Sequence, residues 1–201
     1  MRLLAATTNR GKLAEIRALL RGLPCMLVTL DDLPKVTEPA ETGTTFAENA
    51  REKARHYAAA TGLVTVAEDS GLEIEALGGT PGVHSSRWNG PSYPEKFQRI
   101  YAELAARGLR GSPARFVCAV ALVRGTDVLF EGVGTVEGEV APEPRGTHGF
   151  GYDPIFYYPP YGRTLGEVED DEKRAVSHRG HAFRAQRAFL VANPRTLTGD
   201  A

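Results

Sequence analysis

The chain has 201 residues, 42% of them hydrophobic, and a formal net charge of −1 from 24 Lys plus Arg against 25 Asp plus Glu. That length and balance fit one globular domain, or two small lobes sharing a core, and exclude a disordered or fibrous chain. They leave no basic excess for nonspecific nucleic-acid binding, and no apolar run approaches the ~20 residues that span a bilayer.

The apolar run after Arg2 is too short for a signal-peptide core, and a cytoplasmic protein is expected. Cys25 and Cys118 both lie in apolar, strand-like runs and read as small buried hydrophobes rather than a disulfide pair.

In chain order, Leu3 to Ala6 predict a strand and Thr7 to Gly11 a polar loop. Leu13, Ile16, Leu19, Leu20 and Leu23 recur at helical spacing before Gly22 and Pro24 mark a stop. A second strand follows at 25–30, then an aperiodic loop over 31–43. Thr45 and Glu48 have the spacing of a capping box and open a helix over 46–61 that ends at Gly62. Leu63 to Ala67 predict a strand, Ser70 and Gly71 a turn, and 72–77 a separate half-buried strand. After a glycine-rich loop (78–90), Pro94 suits the first turn of a helix that Gly108 terminates. Residues 114–123 and 128–140, joined around Gly125, predict a long antiparallel hairpin. Residues 142–162 have no period, but their aromatic residues argue against disorder. An acidic segment over 167–172 leads to a last helix from Ser177, and 196–201 reads as a tail after a single domain over 1–195. Strands and helices joined by both βα and hairpin connections predict an α/β fold with a mixed sheet.

Four groups of residues carry candidate chemistry. The strand-to-helix loop Thr7, Thr8, Asn9, Arg10, Gly11 and Lys12 could hold phosphate on helix N–H groups and the lysine charge. It lacks the spacing of a Walker A loop, and an ordinary turn capped by Thr8 or Asn9 explains it as well. Asn49 and Lys53 share one helix face at the border of the apolar stripe, where they either reach a cleft or are solvated. Glu68 and Asp69 end an apolar strand; with Glu41 they make an oxygen-only set suited to Mg²⁺ or Mn²⁺. His178 and His181, with His148, form a rival metal set, whereas Phe150 and Tyr152 offer stacking faces beside the donors His178 and Arg179.

Together these motifs resemble one family. TTNRGK (7–12), FAENAREKA (46–54), EDSGLEIEALGGTPG (68–82), FGYDPIF (150–156) and SHR (177–179) are similar, in order and spacing, to the inosine triphosphate pyrophosphatase family and its bacterial non-canonical purine branch. The resemblance runs from about residue 3 to 190. It implies an elongated mixed sheet whose helices form two lobes around a nucleotide cleft, a homodimer, and Mg²⁺-dependent hydrolysis of ITP, dITP and XTP to the monophosphate and pyrophosphate. By the same resemblance Thr7 to Lys12 and Lys53 hold the triphosphate, and Asp69 binds metal and activates water. Glu41 is the second metal carboxylate, with Glu38 close by in a loop that aligns poorly. Ser70 lies against the nucleotide, and Phe150, Gly151, Tyr152, Asp153, Lys173, His178 and Arg179 surround the base. Glu68 stands where many bacterial members have Asp, and Thr8 where Gly is common; His84 and Trp88 replace more usual tyrosines. A regulatory nucleotide-binding protein would not need Glu41, Glu68 and Asp69 together. A small-molecule phosphatase would not need the aromatic stretch.

Overall fold

The computed structural model describes residues 2–90 and 92–198. Seven strands among these form one mixed sheet, in the order β2-β1-β3-β4-β5-β6-β7. The strands are β1 (Arg2–Ala5), β2 (Met26–Thr29), β3 (Val64–Ile74), β4 (Pro113–Arg124), β5 (Asp127–Val140), β6 (Phe156–Tyr158) and β7 (Arg163–Thr164). The helices are α1 (Arg10–Leu19), α2 (Phe46–Thr61), α3 (Tyr93–Ala105), α4 (Asp170–Val176), α5 (His178–Ala192) and α6 (Arg195–Thr198). β1 pairs in parallel with β2 and β3, while β5–β6 and β6–β7 are antiparallel. The expected mixed α/β class is therefore observed.

The chain divides into two compact units. The first comprises the described residues of 1–69, 118–134 and 178–201. Its core joins Leu3 and Ala5 of β1, Ile16 and Leu20 of α1, Val64 and Val66 of β3, Cys118, Val120 and Leu122 of β4, and Phe183 and Leu190 of α5. The second comprises the described residues of 70–117 and 135–177. There Leu72 and Ile74 pack with Phe97, Ile100 and Leu104 of α3, Phe116, Val136 and Val140, and with Tyr152, Ile155 and Phe156.

Local chemistry explains the helix starts. Asn9, with an extended backbone, accepts the Lys12 N–H at 3.0 Å and so begins α1. Thr45 and Glu48 form the expected reciprocal cap of α2, and Gly62 ends that helix in the left-handed region. Ser92 and Glu95 repeat the cap at α3. Among the described residues no helix is long and apolar enough to cross a membrane.

Three expectations are corrected. The strands expected at 63–67 and 72–77 are one continuous strand, β3, with no turn at Ser70 and Gly71. Gly71 is needed for closeness instead: a Cβ there would stand 2.3 Å from Ser85 Oγ and 2.5 Å from the Gly82 carbonyl. Leu72 N–H donates to that Ser85 Oγ at 2.9 Å, which fastens the 82–85 turn onto the strand. The acidic segment before Ser177 forms α4, because Glu172 reaches back to the Glu169 N–H and opens a helix before α5. The short helix α6 takes in residues 196–198 of the expected tail, while residues 199–201 lie outside the described residues.

Candidate active site

In the first unit, the register of β1 against β3 sets the geometry. Ala5 lies opposite Val66, so β1 ends beside Glu68 and Asp69, which the sequence placed at a strand end but which lie within β3 as it runs on to Ile74. Ligand crevices of open α/β sheets form at the carboxyl end of a strand such as β1. Lys12, at the first turn of α1, reaches Glu68 at 2.8 Å. Thr8, Asn9 and Arg10 are exposed, and Thr7 and Gly11 half-buried. Asn9, one of the two expected caps, is the one that closes the turn.

Glu68 is the hub of a buried ionic network. It accepts from Lys12 and from Arg179 at 3.5 Å, and Cys118 Sγ lies 3.4 Å away. Arg179 in turn donates to Glu15 of α1 at 2.6 Å and is 1% exposed. Burial pushes the Glu68 carboxyl up, but the Arg179 and Lys12 charges outweigh it and hold it well below the usual carboxylate range. Burial likewise raises the Cys118 thiol far above its ordinary value, so this cysteine is a neutral neighbour of the network and not a nucleophile.

Asp69, the next residue, has the opposite balance. Burial raises its carboxyl, against the Asn49 hydrogen bond and the Lys53 charge, and the nearby Glu41 charge adds to the rise. Asn49 Nδ2 donates to Asp69 Oδ2 at 2.9 Å. Lys53 pairs with Glu41 and lies 3.4 Å from the Glu68 carbonyl; burial disfavours its charge, but Glu41, Glu68 and Asp69 keep it protonated. Asn49 and Lys53 are thus buried and aimed at carboxylates, where helical spacing left a solvated face open. Glu38, the alternative to Glu41, is exposed on the 31–43 loop.

Among the described residues no three His, Cys, Asp or Glu side chains group closely enough to hold a metal ion by themselves. Of the rival histidine set, His178 is buried at the start of α5 and His181 is exposed on it, while His148 lies in the second unit near Glu169. The expected oxygen set of Glu41, Glu68 and Asp69 does not form such a group either; Glu68 is engaged by Lys12 and Arg179, which leaves Glu41 and Asp69 as the candidate carboxylates, the Glu41 charge being near enough to raise the Asp69 carboxyl. That donor set fits Mg²⁺, which commonly takes one or two carboxylates and completes its octahedron with water and substrate phosphate.

The second unit contains Ser70, Phe150, Gly151, Tyr152, Asp153 and Lys173. Asp153 and Lys173 are both 2% exposed and pair at 2.6 Å. The Phe150 N–H also donates to Asp153, at 2.7 Å, and the Lys173 ammonium sits 4.4 Å from the centre of the Phe150 ring. Tyr152, expected as a stacking face, is a core residue instead: its ring meets Tyr93 edge-on and its hydroxyl donates to the Ser85 carbonyl at 2.9 Å. Phe150 is left as the aromatic face of this stretch.

Sequence reasoning missed Glu15. The signal was present: a carboxylate three residues after Lys12, between Leu13 and Ile16 on the apolar side of α1. It also missed Lys96, which is buried on α3 and donates to the Ser85 and Ser86 carbonyls; burial lowers its affinity for the proton. Nothing in the spacing of α3 marks that lysine.

A model of the Ham1 family matches residues 3–189. Curated relatives named dITP/XTP pyrophosphatase include that of an Exiguobacterium species, 42% identical over 95% of this chain and 97% of its own length. That of Symbiobacterium thermophilum is 46% identical over 90% of this chain and 91% of its own. A solved HAM1 protein from Coxiella burnetii superposes with a TM-score of 0.86 at 41% identity, covering 96% of this chain and 99% of the other.

Proposed function

The chain belongs to the Ham1 family, and from that membership and the groups described above we infer that it is a nucleoside triphosphate pyrophosphatase. It hydrolyses non-canonical purine nucleoside triphosphates (ITP, dITP and XTP) to the monophosphate and pyrophosphate, removing them from the nucleotide pool. Residues 1–195 act as one functional domain in a cytoplasmic homodimer that binds neither nucleic acid nor membrane. The Asp69 carboxylate supports this reading most directly: it is buried, held by Asn49, and influenced by Lys53, Lys12 and Glu41 at the end of a parallel strand pair.

Each group has a separate task. The N–H groups opening α1, with Thr7 to Gly11 and Lys12, bind the triphosphate, and Lys53 adds a second fixed charge. Glu68 holds Lys12 in place, and Glu41 holds Lys53 in place and favours its charge. Asp69 takes the proton from the attacking water; a carboxylate pushed up by burial is a better base than a solvated one. Asp69 and Glu41 would hold Mg²⁺, with Mn²⁺ as a substitute, and a bound ion would supply positive charge to the triphosphate. Pyrophosphate leaves as a clamped anion, so no general acid is required.

Phe150 provides the stacking face for the purine, fixed by its own N–H on Asp153 and by Lys173 over the ring. Ser70 and Gly151 contribute from the same unit, with His178 beside Arg179, while Tyr152 holds the stretch in place through Tyr93 and the Ser85 carbonyl. Arg179 is 1% exposed and already engaged by Glu15 and Glu68, so its place beside the base rests on the motif alone, and what the geometry supports is its hold on Glu68. The test is a panel of ITP, dITP, XTP, GTP and ATP with Mg²⁺, each product mixture analysed with and without inorganic pyrophosphatase. Preference for the first three with pyrophosphate release supports the assignment; a nucleoside diphosphate and orthophosphate as first products overturn it.

A further inference from the structure

Asn49 is 1% exposed, and both ends of its amide are engaged. Nδ2 donates to Asp69 Oδ2 at 2.9 Å, and Oδ1 accepts the Gly43 N–H at 2.8 Å. Gly43 lies two residues beyond Glu41. One rigid, planar group on α2 therefore ties the strand that carries Asp69 to the loop that carries Glu41.

The loop meets the helix at a distance that a side chain would prevent. A Cβ on Gly43 would stand 2.6 Å from Asn49 Oδ1 and 2.8 Å from Glu48 Cβ. The φ of Gly43 lies outside the left-handed region, so glycine serves the close approach and not an unusual backbone. On the far side of Gly43, the N–H groups of Thr44 and Thr45 bond Glu48, which fixes the same loop to the first turn of α2.

The choice of an amide has a physical reason. A buried carboxylate needs a donor to fix its rotation; with Lys53 already paired to Glu41 and near Asp69, a further cation bonded directly to Asp69 would neutralise the charge that a metal ion is to use. An amide N–H orients the carboxylate and leaves its charge intact, while the carbonyl of the same group anchors the loop.

We propose that Asn49 is the positioning residue of the metal pair, setting the rotation of the Asp69 carboxylate through Nδ2 and the place of the Glu41 loop through Oδ1. The inference rests on the assignment of Asp69 and Glu41 to Mg²⁺ made above. Outer-shell partners of this kind typically change metal affinity or activity by ~10–100-fold when removed.

Three variants of the full chain test it: Asn49→Leu, which keeps the branched shape and loses both hydrogen bonds, Gly43→Ala, and Asp69→Asn. For each, kcat and KM for ITP are measured, and binding of Mn²⁺ alone is followed by electron paramagnetic resonance. Circular dichroism and thermal melting report the fold. Asn49→Leu is expected to lower kcat by at least ~10-fold and to weaken Mn²⁺ by a similar factor, with KM for ITP within about threefold. Gly43→Ala is expected to weaken Mn²⁺ in the same direction by about threefold or more, since it disturbs only the loop half of the latch. A folded Asn49→Leu with a lower Tm but wild-type kcat and Mn²⁺ affinity, beside an inactive Asp69→Asn, overturns the role of Asn49 and leaves the function standing. Should Asn49→Leu fail to fold, Gly43→Ala decides, and unchanged Mn²⁺ affinity overturns the proposal. Full turnover and full Mn²⁺ affinity in Asp69→Asn overturn the metal assignment itself, and this inference with it.

Discussion

Replacing Arg179 by Met removes the cation that two carboxylates share in the first unit. Arg179 is fully enclosed, with Glu15 at 2.6 Å and Glu68 at 3.5 Å. Breaking a buried ion pair from one side commonly costs ~3–5 kcal/mol, because the remaining charge stays desolvated. Here Glu68 keeps Lys12 at 2.8 Å, so the loss falls mainly on Glu15. Glu15 loses the guanidinium at 2.6 Å, and its side chain is only 10% exposed. The low end of the range applies, about 3 kcal/mol. For a chain of this size each kcal/mol shifts Tm by ~2–4 °C, so a fall of about 6–12 °C is expected. Urea unfolding at neutral pH and thermal melting both measure it. The double variant Arg179→Met with Glu15→Leu also removes the buried carboxylate that faced the guanidinium and should recover part of the loss. A single variant destabilised by less than about 1 kcal/mol, the range of exposed pairs, refutes the reasoning. So does a double variant no more stable than the single one.

Asp69→Asn should lower kcat by ~10²–10⁴-fold as the base is lost. In metal-free buffer at neutral pH the same variant should be at least as stable as the parent. The Asp69 carboxyl is raised in the fold, so between its unfolded value near 3.9 and its folded value the native state holds the proton and stability declines as pH rises. Melting curves in EDTA across pH check the sign, since the advantage of Asn should vanish below the unfolded value. Lys173→Met should unfold at lower urea, by about 3 kcal/mol, because Asp153 is left buried beside the Phe150 N–H. It should also raise KM for ITP as Phe150 loses its support, and an unchanged KM in the folded variant would separate Phe150 from the substrate.

The periodic parts of this chain were legible, and so were the caps. Thr45 with Glu48 and the spacing of α1 act through local bonds that residue order alone defines. What the order could not give was closeness between distant segments. Ser70 and Gly71 read as a turn because their intrinsic preferences favour one, yet β3 runs on through both, with the 82–85 turn packed against Gly71 and bonded to the Leu72 N–H. Lys53 read as a border residue because its partner Glu41 lies in a loop without period. Arg179 read as a free donor because Glu15 stands 164 residues earlier. The candidate carboxylates and lysines were thus identifiable by type and motif, while the pairings that fix them depend on tertiary contacts.

One isotope experiment tests the central claim, that water attacks the phosphorus nearest the sugar. A single turnover of ITP with Mg²⁺ in H₂¹⁸O, analysed by mass spectrometry, reports which phosphorus received the oxygen. Asp69 acting on a water at the α-phosphorus predicts one ¹⁸O in the monophosphate and none in pyrophosphate. Label in pyrophosphate, or label in released orthophosphate with a nucleoside diphosphate, would contradict the account.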